Sequence, residues 1–410
     1  MHITKIETVH IRDAECERHR NLWVQVHTDD GLVGLGETQT LPSAVAEVIH
    51  ELYAPMLLGR DPADIECIWA DLYSAIHFYG GSGAELRGLS AVDIALWDLL
   101  SQSCEQPLYN LLGGRCRDRI RVYNTCISGG NIRDTEAWQN DAGVLALELL
   151  DEGWTAMKIW PWDLVAPRVR ERARSAQEST TAYIRNAGAP GALGLVGQYL
   201  SAADLARGLE PVRKIREAVG DRMDIAIEGH SRWSLPAALQ IARALEPYDV
   251  MWLEDVIPVD NVDDLGRLRA ETRVRLCVSE RLFTRWGLRQ VMEKGAAHII
   301  MLDVGWCGGL TEAKKIAAAA ETYHLPIASH GAVGPVLNMA SAHLCAAVPN
   351  AMVLEVVRAH YLGWYEEVVN GDIIIKEGHM HLLNRSGLGI SLRPQVFARP
   401  DARVRVSGLN

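Results

Sequence analysis

From about residue 121 onwards, short apolar runs alternate with longer segments whose apolar residues recur at helical spacing. Eight of these runs are predicted to be strands: RVYNTCIS, TAMKIW, MDIAIEGH, DVMWLEDV, RLCVSERL, AHIIMLDVG, LPIASH and AMVLEVV. Helical periodicity is clear in intervening stretches such as LPAALQIARALEPY and LTEAKKIAAAAETYH. Apolar strands that alternate with amphipathic helices predict a parallel sheet covered by helices. Eight such units predict a closed (β/α)8 barrel over residues 121–360.

The first 120 residues mix strand and helix signals instead. The stretch NLWVQVHTDDGLVGLGE reads as two alternating runs joined at Asp29-Asp30-Gly31, which predicts a hairpin, and AVAEVIHELYAPML predicts a helix. After the eighth barrel strand, residues 361–410 contain GLGISL, a predicted terminal strand that returns to the N-terminal domain. The predicted fold class is therefore α/β: a (β/α)8-type barrel, or modified TIM barrel, with an α+β domain over residues 1–120 that the segment 361–410 completes. One barrel unit is overlong, because residues 161–205 hold an insertion rich in Arg, Ala and Gly.

Composition narrows the choice of partners. The 410 residues include 41 basic and 52 acidic side chains, and a net charge of −11 disfavours binding to nucleic acid or to an anionic membrane. No apolar run reaches the roughly 18 residues of a membrane span, and the N-terminus lacks the apolar stretch of a secretory signal. The eight cysteines form no CxxC pair. We therefore expect a cytoplasmic protein with reduced thiols, which acts on a small molecule.

Six consecutive barrel strands each end near an ionisable residue. These residues are Glu228, Glu254, Glu280, Asp303, His330 and Glu355. Successive members are 23 to 27 residues apart, which is about the length of one strand–helix unit. Any one acid could pair with an arginine or cap a helix, but six in register favour a shared site at the carboxyl ends of the strands, where barrel active sites form.

Glu228, Glu254 and Glu280 follow three adjacent strands, so they are expected to converge. Three carboxylates at one point repel each other strongly unless a cation lies between them. Hard oxygen ligands suit Mg²⁺, with Mn²⁺ as a possible substitute. Asp255 is expected to point away from this point, because neighbouring strand residues face opposite sides.

These residues, together with the motifs SAVDIALWDLL, PLYNLLGG and MKIW, resemble the enolase superfamily and most closely its mandelate racemase-like branch. The resemblance covers nearly the whole chain and implies that the N-terminal domain caps the barrel mouth. It implies that one Mg²⁺ per active site, held by Glu228, Glu254 and Glu280, stabilises the enediolate formed when the proton next to a carboxylate is removed.

The resemblance also implies roles for the other strand-end residues. His330 takes the α-proton and Asp303 orients it, while Glu355 and Lys158 contact the substrate carboxylate. His230, two residues after Glu228, resembles the general acid that protonates the departing 3-hydroxyl in sugar-acid dehydratases of this branch. Its alternative role is that of a hydrogen-bonding histidine at the rim.

Two departures from the family pattern affect the predicted reaction. The second strand often carries Lys-x-Lys, whose second lysine is a base, but here the stretch is Lys158-Ile159-Trp160. A two-base racemase is therefore disfavoured. The first metal ligand is commonly Asp, and Glu228 is one methylene longer.

The sequence thus predicts an Mg²⁺-dependent lyase that dehydrates a sugar acid, an aldonate or aldarate, to a 2-keto-3-deoxy acid. The alternative is a cycloisomerase, lactonising, racemase or epimerase reaction at the same site. A metallohydrolase is disfavoured because the first strand lacks an HxH pair, and a non-catalytic protein is disfavoured because unused buried carboxylates would reduce stability. Arg20 and His19, in the loop at residues 12–22, are candidate substrate-binding residues, and we expect a homo-oligomer.

Overall fold

The computed structural model describes residues 1–12, 20–166 and 197–409. Its strands in chain order are β1 (Ile3–Ile11), β2 (Asn21–Thr28), β3 (Val33–Gln39), β4 (Ile120–Thr125), β5 (Ala156–Ile159), β6 (Asp224–Glu228), β7 (Trp252–Glu254), β8 (Leu276–Val278), β9 (Ile299–Leu302), β10 (Ile327–Ser329), β11 (Ala351–Val356), β12 (Val369–Asn370), β13 (Ile374–Lys376), β14 (His379–His381), β15 (Ser391–Leu392) and β16 (Ala402–Gly408). Its α-helices are α1 (Pro42–Val48), α2 (Ala54–Leu57), α3 (Ile65–His77), α4 (Ala84–Ser103), α5 (Leu108–Leu111), α6 (Asp134–Asp151), α7 (Ala202–Val219), α8 (Leu235–Leu245), α9 (Val262–Glu271), α10 (Thr284–Glu293), α11 (Gly309–Thr322), α12 (Pro335–Ala347), α13 (Arg358–Tyr361), α14 (Tyr365–Val368) and α15 (Pro394–Phe397).

The barrel consists of β4 to β11, which are hydrogen-bonded to one another in chain order and all run parallel. Pairing of β11 with β4 closes the sheet. The helices α6 to α12 connect successive strands, whereas β11 is followed by the short helices α13 and α14. The (β/α)8-type barrel predicted from the eight apolar runs is thus confirmed.

The lower part of the barrel interior is an apolar plug, to which every strand contributes. Its strand members are Tyr123, Ala156, Ala226, Trp252, Cys277, Ile299, Met301, Ala328 and Val353. The rings of Tyr123 and Trp252 pack edge to face with centroids 5.4 Å apart. Because side chains along each strand alternate between the barrel interior and the helix layer, the plug determines which later residues face inward again.

The N-terminal sheet has the strand order β16–β1–β2–β3 and is antiparallel, with β2 and β3 forming the predicted hairpin. Helix α4 packs against β3 so closely that Gly34 and Gly36 are required there. A Cβ at Gly36 would lie 1.9 Å from the carbonyl oxygen of Ala91, and one at Gly34 would lie 2.1 Å from that of Ala95. The mixed signals of the first 120 residues therefore correspond to one sheet covered by helices.

The C-terminal segment does pair with the N-terminal sheet, but the predicted position of that strand was wrong. The pairing strand is β16, whose Ala402 to Gly408 lie opposite Ile11 to Lys5 of β1. Within GLGISL only Ser391–Leu392 is a strand, and it pairs with β12. The preceding Leu388 contacts the N-terminal domain by donating its backbone N–H to Asp98 Oδ1 at 2.8 Å. The short GLGISL run is apolar because Leu388 and Leu392 are buried, rather than because it extends the first sheet.

No helix among the described residues is long and apolar enough to cross a membrane. The seven cysteines in the described part of the chain are all unpaired. The cytoplasmic location and the homo-oligomer stay predictions.

Carboxylates of the N-terminal domain cap two barrel helices that have no side-chain caps of their own. Glu37 accepts the backbone N–H of Leu337, in the first turn of α12, at 2.8 Å. Asp93 accepts the N–H of Thr311, in the first turn of α11, at 3.0 Å. Negative charge at a helix N-terminus satisfies backbone donors and interacts favourably with the helix dipole. The two domains are therefore joined by polar contacts that have a defined geometry.

We expect the Glu37 cap to make stability depend on pH. Burial raises the pKa of Glu37 from its ordinary 4.5 to about 7, although hydrogen bonds from Leu337 and Asn21 act in the opposite direction. The folded protein then holds this proton between pH 4.5 and 7 while the unfolded chain releases it, so stability falls as the pH rises through this window. Relative to Glu37→Gln, the wild type should lose about 3 kcal/mol of unfolding free energy across it.

Urea unfolding of both proteins at several pH values between 4.5 and 7.5 would measure this difference. A constant difference would contradict the expectation.

Candidate active site

Ionisable side chains lie in and beneath the cavity above the apolar plug because of the strand register. Lys158, Glu228, Glu254, Asp303, His330 and Glu355 each lie two residues after a plug residue of the same strand. Residues two apart on a strand face the same side, so these side chains point into the barrel at its carboxyl-terminal rim. Glu280 differs, since it lies three residues after Cys277 and beyond the end of β8.

Lys158 is the centre of the charged cluster. Its Nζ lies 2.9 Å from Glu355 Oε1, 3.1 Å from Glu254 Oε1 and 3.7 Å from Glu228 Oε2, and the side chain is buried. A second donor to Glu254 is Trp252 of the plug, whose Nε1 lies 2.8 Å from Oε2. The ammonium therefore holds together carboxylates from three strands.

The acids of this cluster differ in proton affinity. Burial raises the pKa of Glu254 well above its usual range, and the nearby Glu228 carboxylate adds to the effect. Burial would also raise the pKa of Glu355, but Lys158 and His330 outweigh it and lower this pKa to about 2. Glu355 is further fixed by the Gly331 N–H, 3.0 Å from Oε2, and by the hydroxyl of Thr125.

The three glutamates predicted to bind metal lie at this rim, but they do not yet surround one point. Within residues 1–12, 20–166 and 197–409 no group of three His, Cys, Asp or Glu side chains is already arranged to hold a metal ion. Glu228 and Glu280 line the cavity, whereas Glu254 lies beneath it against Lys158. Glu280 Oε2 is buried and has no hydrogen-bond partner among the described residues. The donor set is entirely oxygen, and one of these oxygens is buried without a hydrogen-bond partner among the described residues, so the chemistry fits a hard dication such as Mg²⁺.

The structure brings Asp303 and His330 together. Asp303 Oδ2 lies 2.6 Å from His330 Nδ1, and His330 Nε2 lies 3.6 Å from Glu355 Oε2. Burial would lower the pKa of His330, but Glu355 and Asp303 outweigh it and raise this pKa to about 9. The Trp306 ring packs on the imidazole with centroids 5.1 Å apart. Asp303 therefore engages one ring nitrogen and leaves Nε2 on the cavity side.

His230 lines the same cavity and follows the end of β6. In the closed barrel of eight strands, β6 lies four strands from β10, so His230 is across the barrel from His330. Strand alternation is not what directs it there, because β6 ends at Glu228 and His230 has a left-handed φ of 48°. Its Nδ1 lies 2.7 Å from Asp163 Oδ2. Sequence reasoning missed Asp163, which lies in the overlong unit, where no strand or helix pattern drew attention to it.

Thr125 was also missed, although it could have been found. It lies two residues after Tyr123 of the plug and is the register neighbour of Lys158. Extending the same two-residue offset to the first barrel strand would have identified it. Its hydroxyl is not ionisable, so a pattern of ionisable strand-end residues does not include it.

The remaining predicted residues have varied positions. Arg20 lines the cavity, whereas His19 lies outside the described residues. Asp255 is buried and pairs with Arg281, whose Nε is 3.4 Å from Oδ2 and which lines the cavity. Trp160, where a lysine base would stand, packs edge-on to the His230 ring with centroids 6.1 Å apart.

Removal of the Lys158 charge should destabilise the protein when no divalent metal is present. Lys158→Met leaves buried carboxylates without their counter-charge, and breaking a buried pair in this way typically costs about 3–5 kcal/mol. Lys294→Met is the matched control, because Lys294 pairs with Asp263 at the exposed surface and should contribute less than about 1 kcal/mol. Urea unfolding in EDTA would measure both changes, and equal losses would contradict the central role of Lys158.

Comparison with known proteins agrees with this geometry. Residues 4–113 match the family model of the mandelate racemase / muconate lactonizing enzyme N-terminal domain, and residues 141–396 match the enolase C-terminal domain-like model. The chain is 33% identical over 370 residues to a D-xylonate dehydratase of Haloferax volcanii, which covers 90% of this chain and 82% of the relative. It is 29% identical over 384 residues to an arabinonate dehydratase of Saccharolobus solfataricus, which covers 91% and 88%.

A solved structure supports the same assignment over the full length. It is an enolase of the mandelate racemase subgroup from Agrobacterium tumefaciens, 42% identical, with a TM-score of 0.83 and coverage of 100% of this chain and 99% of the other. Both family models, the relatives and the structural neighbour therefore lead to one conclusion: the chain belongs to the enolase superfamily, in its mandelate racemase-like branch.

Proposed function

We propose that this protein is an Mg²⁺-dependent lyase that removes water from a sugar acid, an aldonate or aldarate, and forms a 2-keto-3-deoxy acid. The observation that carries the proposal is the position of two histidines on opposite walls of one carboxylate-lined cavity, with His330 fixed by Asp303 at 2.6 Å. Dehydration needs a base for the α-proton and an acid for the 3-hydroxyl. The relatives that act as D-xylonate and arabinonate dehydratases support this reaction class over the isomerase alternatives.

The proposed metal ligands are Glu228, Glu254 and Glu280. When bound, Mg²⁺ would neutralise the negative charge that builds on the substrate carboxylate as the α-proton leaves. Because Lys158 contacts Glu228 and Glu254, its ammonium already compensates part of the charge of these ligands.

The proposed proton transfers use the two histidines. His330 Nε2, in the neutral ring, takes the proton from C2, and the electrons of the C2–H bond move into the substrate carboxylate to give the enediolate. As the hydroxyl on C3 departs, these electrons form the C2=C3 double bond. His230 gives a proton to the hydroxyl on C3, the C3–O bond breaks and water leaves. The resulting enol then takes a proton at C3 and loses its hydroxyl proton, which yields the 2-keto-3-deoxy acid.

Other cavity residues are proposed to bind the substrate. Lys158 and Glu355 line the cavity and are proposed to contact the substrate carboxylate, to which the Lys158 ammonium would offer positive charge. Arg20 lines the cavity on the side of the N-terminal domain and is proposed to bind a hydroxyl or a second carboxylate. The same role is proposed for His19.

Removal of the metal should abolish turnover. Exhaustive chelation should eliminate activity and added Mg²⁺ should restore it, because the anion left by proton removal loses its main stabilisation. In a direct binding measurement, Glu280→Gln should weaken Mg²⁺ binding by at least about tenfold, or about 1.4 kcal/mol.

Glu37→Gln is the control for this measurement, because Glu37 is an equally buried carboxylate at the domain interface. Mg²⁺ should raise the melting temperature of the control as it does that of the wild type, and less so that of Glu280→Gln. Full activity after chelation would contradict the proposal.

Replacement of the base should stop both proton exchange and turnover. His330→Asn should lower water loss and exchange of the α-proton with D₂O by about 10²–10⁴-fold or more, the usual contribution of a general base. Mg²⁺ binding should persist, because His330 is not a proposed ligand. Exchange at the wild-type rate in this variant would show that another group is the base.

The same measurement distinguishes the alternative reactions. A dehydratase with one base should exchange the α-proton of only one epimer and produce a 2-keto acid that semicarbazide detects. Comparable exchange of both epimers would indicate a second base, and the epimerase reaction would then be favoured. Reaction without loss of water would favour the cycloisomerase.

A further inference from the structure

A second histidine–carboxylate pair lies across the barrel from His330 and Asp303. Asp163 Oδ2 is 2.7 Å from His230 Nδ1, and Asp163 is only 4% exposed. Its other oxygen, Oδ1, is buried without a hydrogen-bond partner among the described residues. Among the described residues, the side-chain hydrogen bond of this buried carboxylate is therefore with the imidazole.

We infer that Asp163 is the positioning residue of the acid half of the reaction: it holds His230 so that Nε2 delivers a proton to the departing 3-hydroxyl. This role rests on the proposed dehydration. Asp163 is not a catalytic residue itself, since it lies behind His230 and the cavity lining contains the histidine rather than the aspartate.

The fold holds Asp163 firmly in place. It belongs to a single 3-10 turn, Pro161–Leu164, directly after β5. Trp162 of this turn is 1% exposed and packs on α7 at Gly208, where a Cβ would lie 2.3 Å from the indole Nε1. The glycine thus lets the indole lie directly against the helix backbone, and the turn is anchored from the side opposite the cavity.

His230 is held at its backbone as well as at its ring. Its backbone N–H donates to Glu228 Oε1 at 2.6 Å, and the Trp160 ring packs edge-on against its imidazole. With Nδ1 engaged by Asp163, Nε2 is the ring nitrogen left for the cavity. Asp163 therefore selects the orientation in which this histidine can reach a substrate hydroxyl.

This arrangement gives Asp163 a defined chemical task. The Nδ1–H bond to a carboxylate requires that the transferable proton be carried on Nε2. As the proton moves to the 3-hydroxyl, the C3–O bond breaks, water departs and the imidazole stays neutral with its Nδ1–H still directed at Asp163. An asparagine of the same shape lacks the charge and can present an N–H to Nδ1, which favours the wrong tautomer.

A substrate analogue whose leaving group needs no proton can distinguish this role from a purely structural role in the cavity. The probes are D-xylonate, D-gluconate, D-galactonate and D-arabinonate, and then the 3-deoxy-3-fluoro analogue of whichever acid the wild type dehydrates fastest. Fluoride departs as an anion, so its elimination still needs the base but depends far less on an acid. The variants are Asp163→Asn, His230→Gln and His330→Asn, each saturated with Mg²⁺.

We expect Asp163→Asn to lower water loss by about 10²–10⁴-fold, the range for an acid or for loss of the correct tautomer. It should lower fluoride release by less than about tenfold and should retain α-proton exchange in D₂O. His230→Gln should behave in the same way, whereas His330→Asn should lose water elimination, fluoride elimination and exchange together.

Two results would overturn the role of Asp163. If Asp163→Asn loses fluoride release as severely as water loss, the residue only supports the cavity. If it dehydrates the acid within about threefold of the wild-type rate, His230 does not depend on it. A wild type that neither exchanges an α-proton nor loses water from any of the four acids would instead overturn the proposed function, and this inference with it.

Discussion

The structure depends on one geometric constraint, which is the two-residue alternation of side chains in a closed parallel barrel. The plug residues occupy the interior, so the residues two positions later must face inward at the rim. Neighbouring strands are paired so that Glu228 lies opposite Glu254 and Thr125 lies opposite Lys158. A register shift of one residue in any strand would turn its charged group into the helix layer. The apolar plug therefore specifies the site as much as the charged residues do.

This constraint brings like charges together, and the barrel compensates for them with Lys158. One ammonium faces three carboxylates, those of Glu228, Glu254 and Glu355, at 2.9–3.7 Å. It carries one positive charge, so the cluster stays negative overall when all three acids are ionised. Burial raises the pKa of Glu254, and the neighbouring Glu228 carboxylate adds to this effect. The excess of negative charge supports the proposal that a hard divalent cation binds at this rim.

The barrel could be predicted from the sequence because eight apolar runs separated by helical segments are compatible with few other folds. The sequence was also sufficient for the residues that follow the two-residue offset, such as Asp303 and His330. It failed for Asp163, because the contact of Asp163 in a 3-10 turn with His230, two residues beyond β6 and far along the chain, leaves no periodic signal in the sequence. It misplaced the last strand, because GLGISL and the β16 sequence ARVRVSG are both short apolar-containing runs near the C-terminus. Only the tertiary pairing with β1 distinguishes them.

The N-terminal domain contacts the surroundings of His330 more directly than those of His230. Its Arg87 guanidinium lies 4.0 Å from the centre of the Trp306 ring, and Trp306 packs on His330. Its Thr38 hydroxyl donates to the Gly305 carbonyl at 2.9 Å, two residues after Asp303. The contacts that hold His230 in the described part of the chain come instead from the barrel, through Asp163 and Glu228. A change in how the domains pack would therefore alter the surroundings of His330 more directly than those of His230.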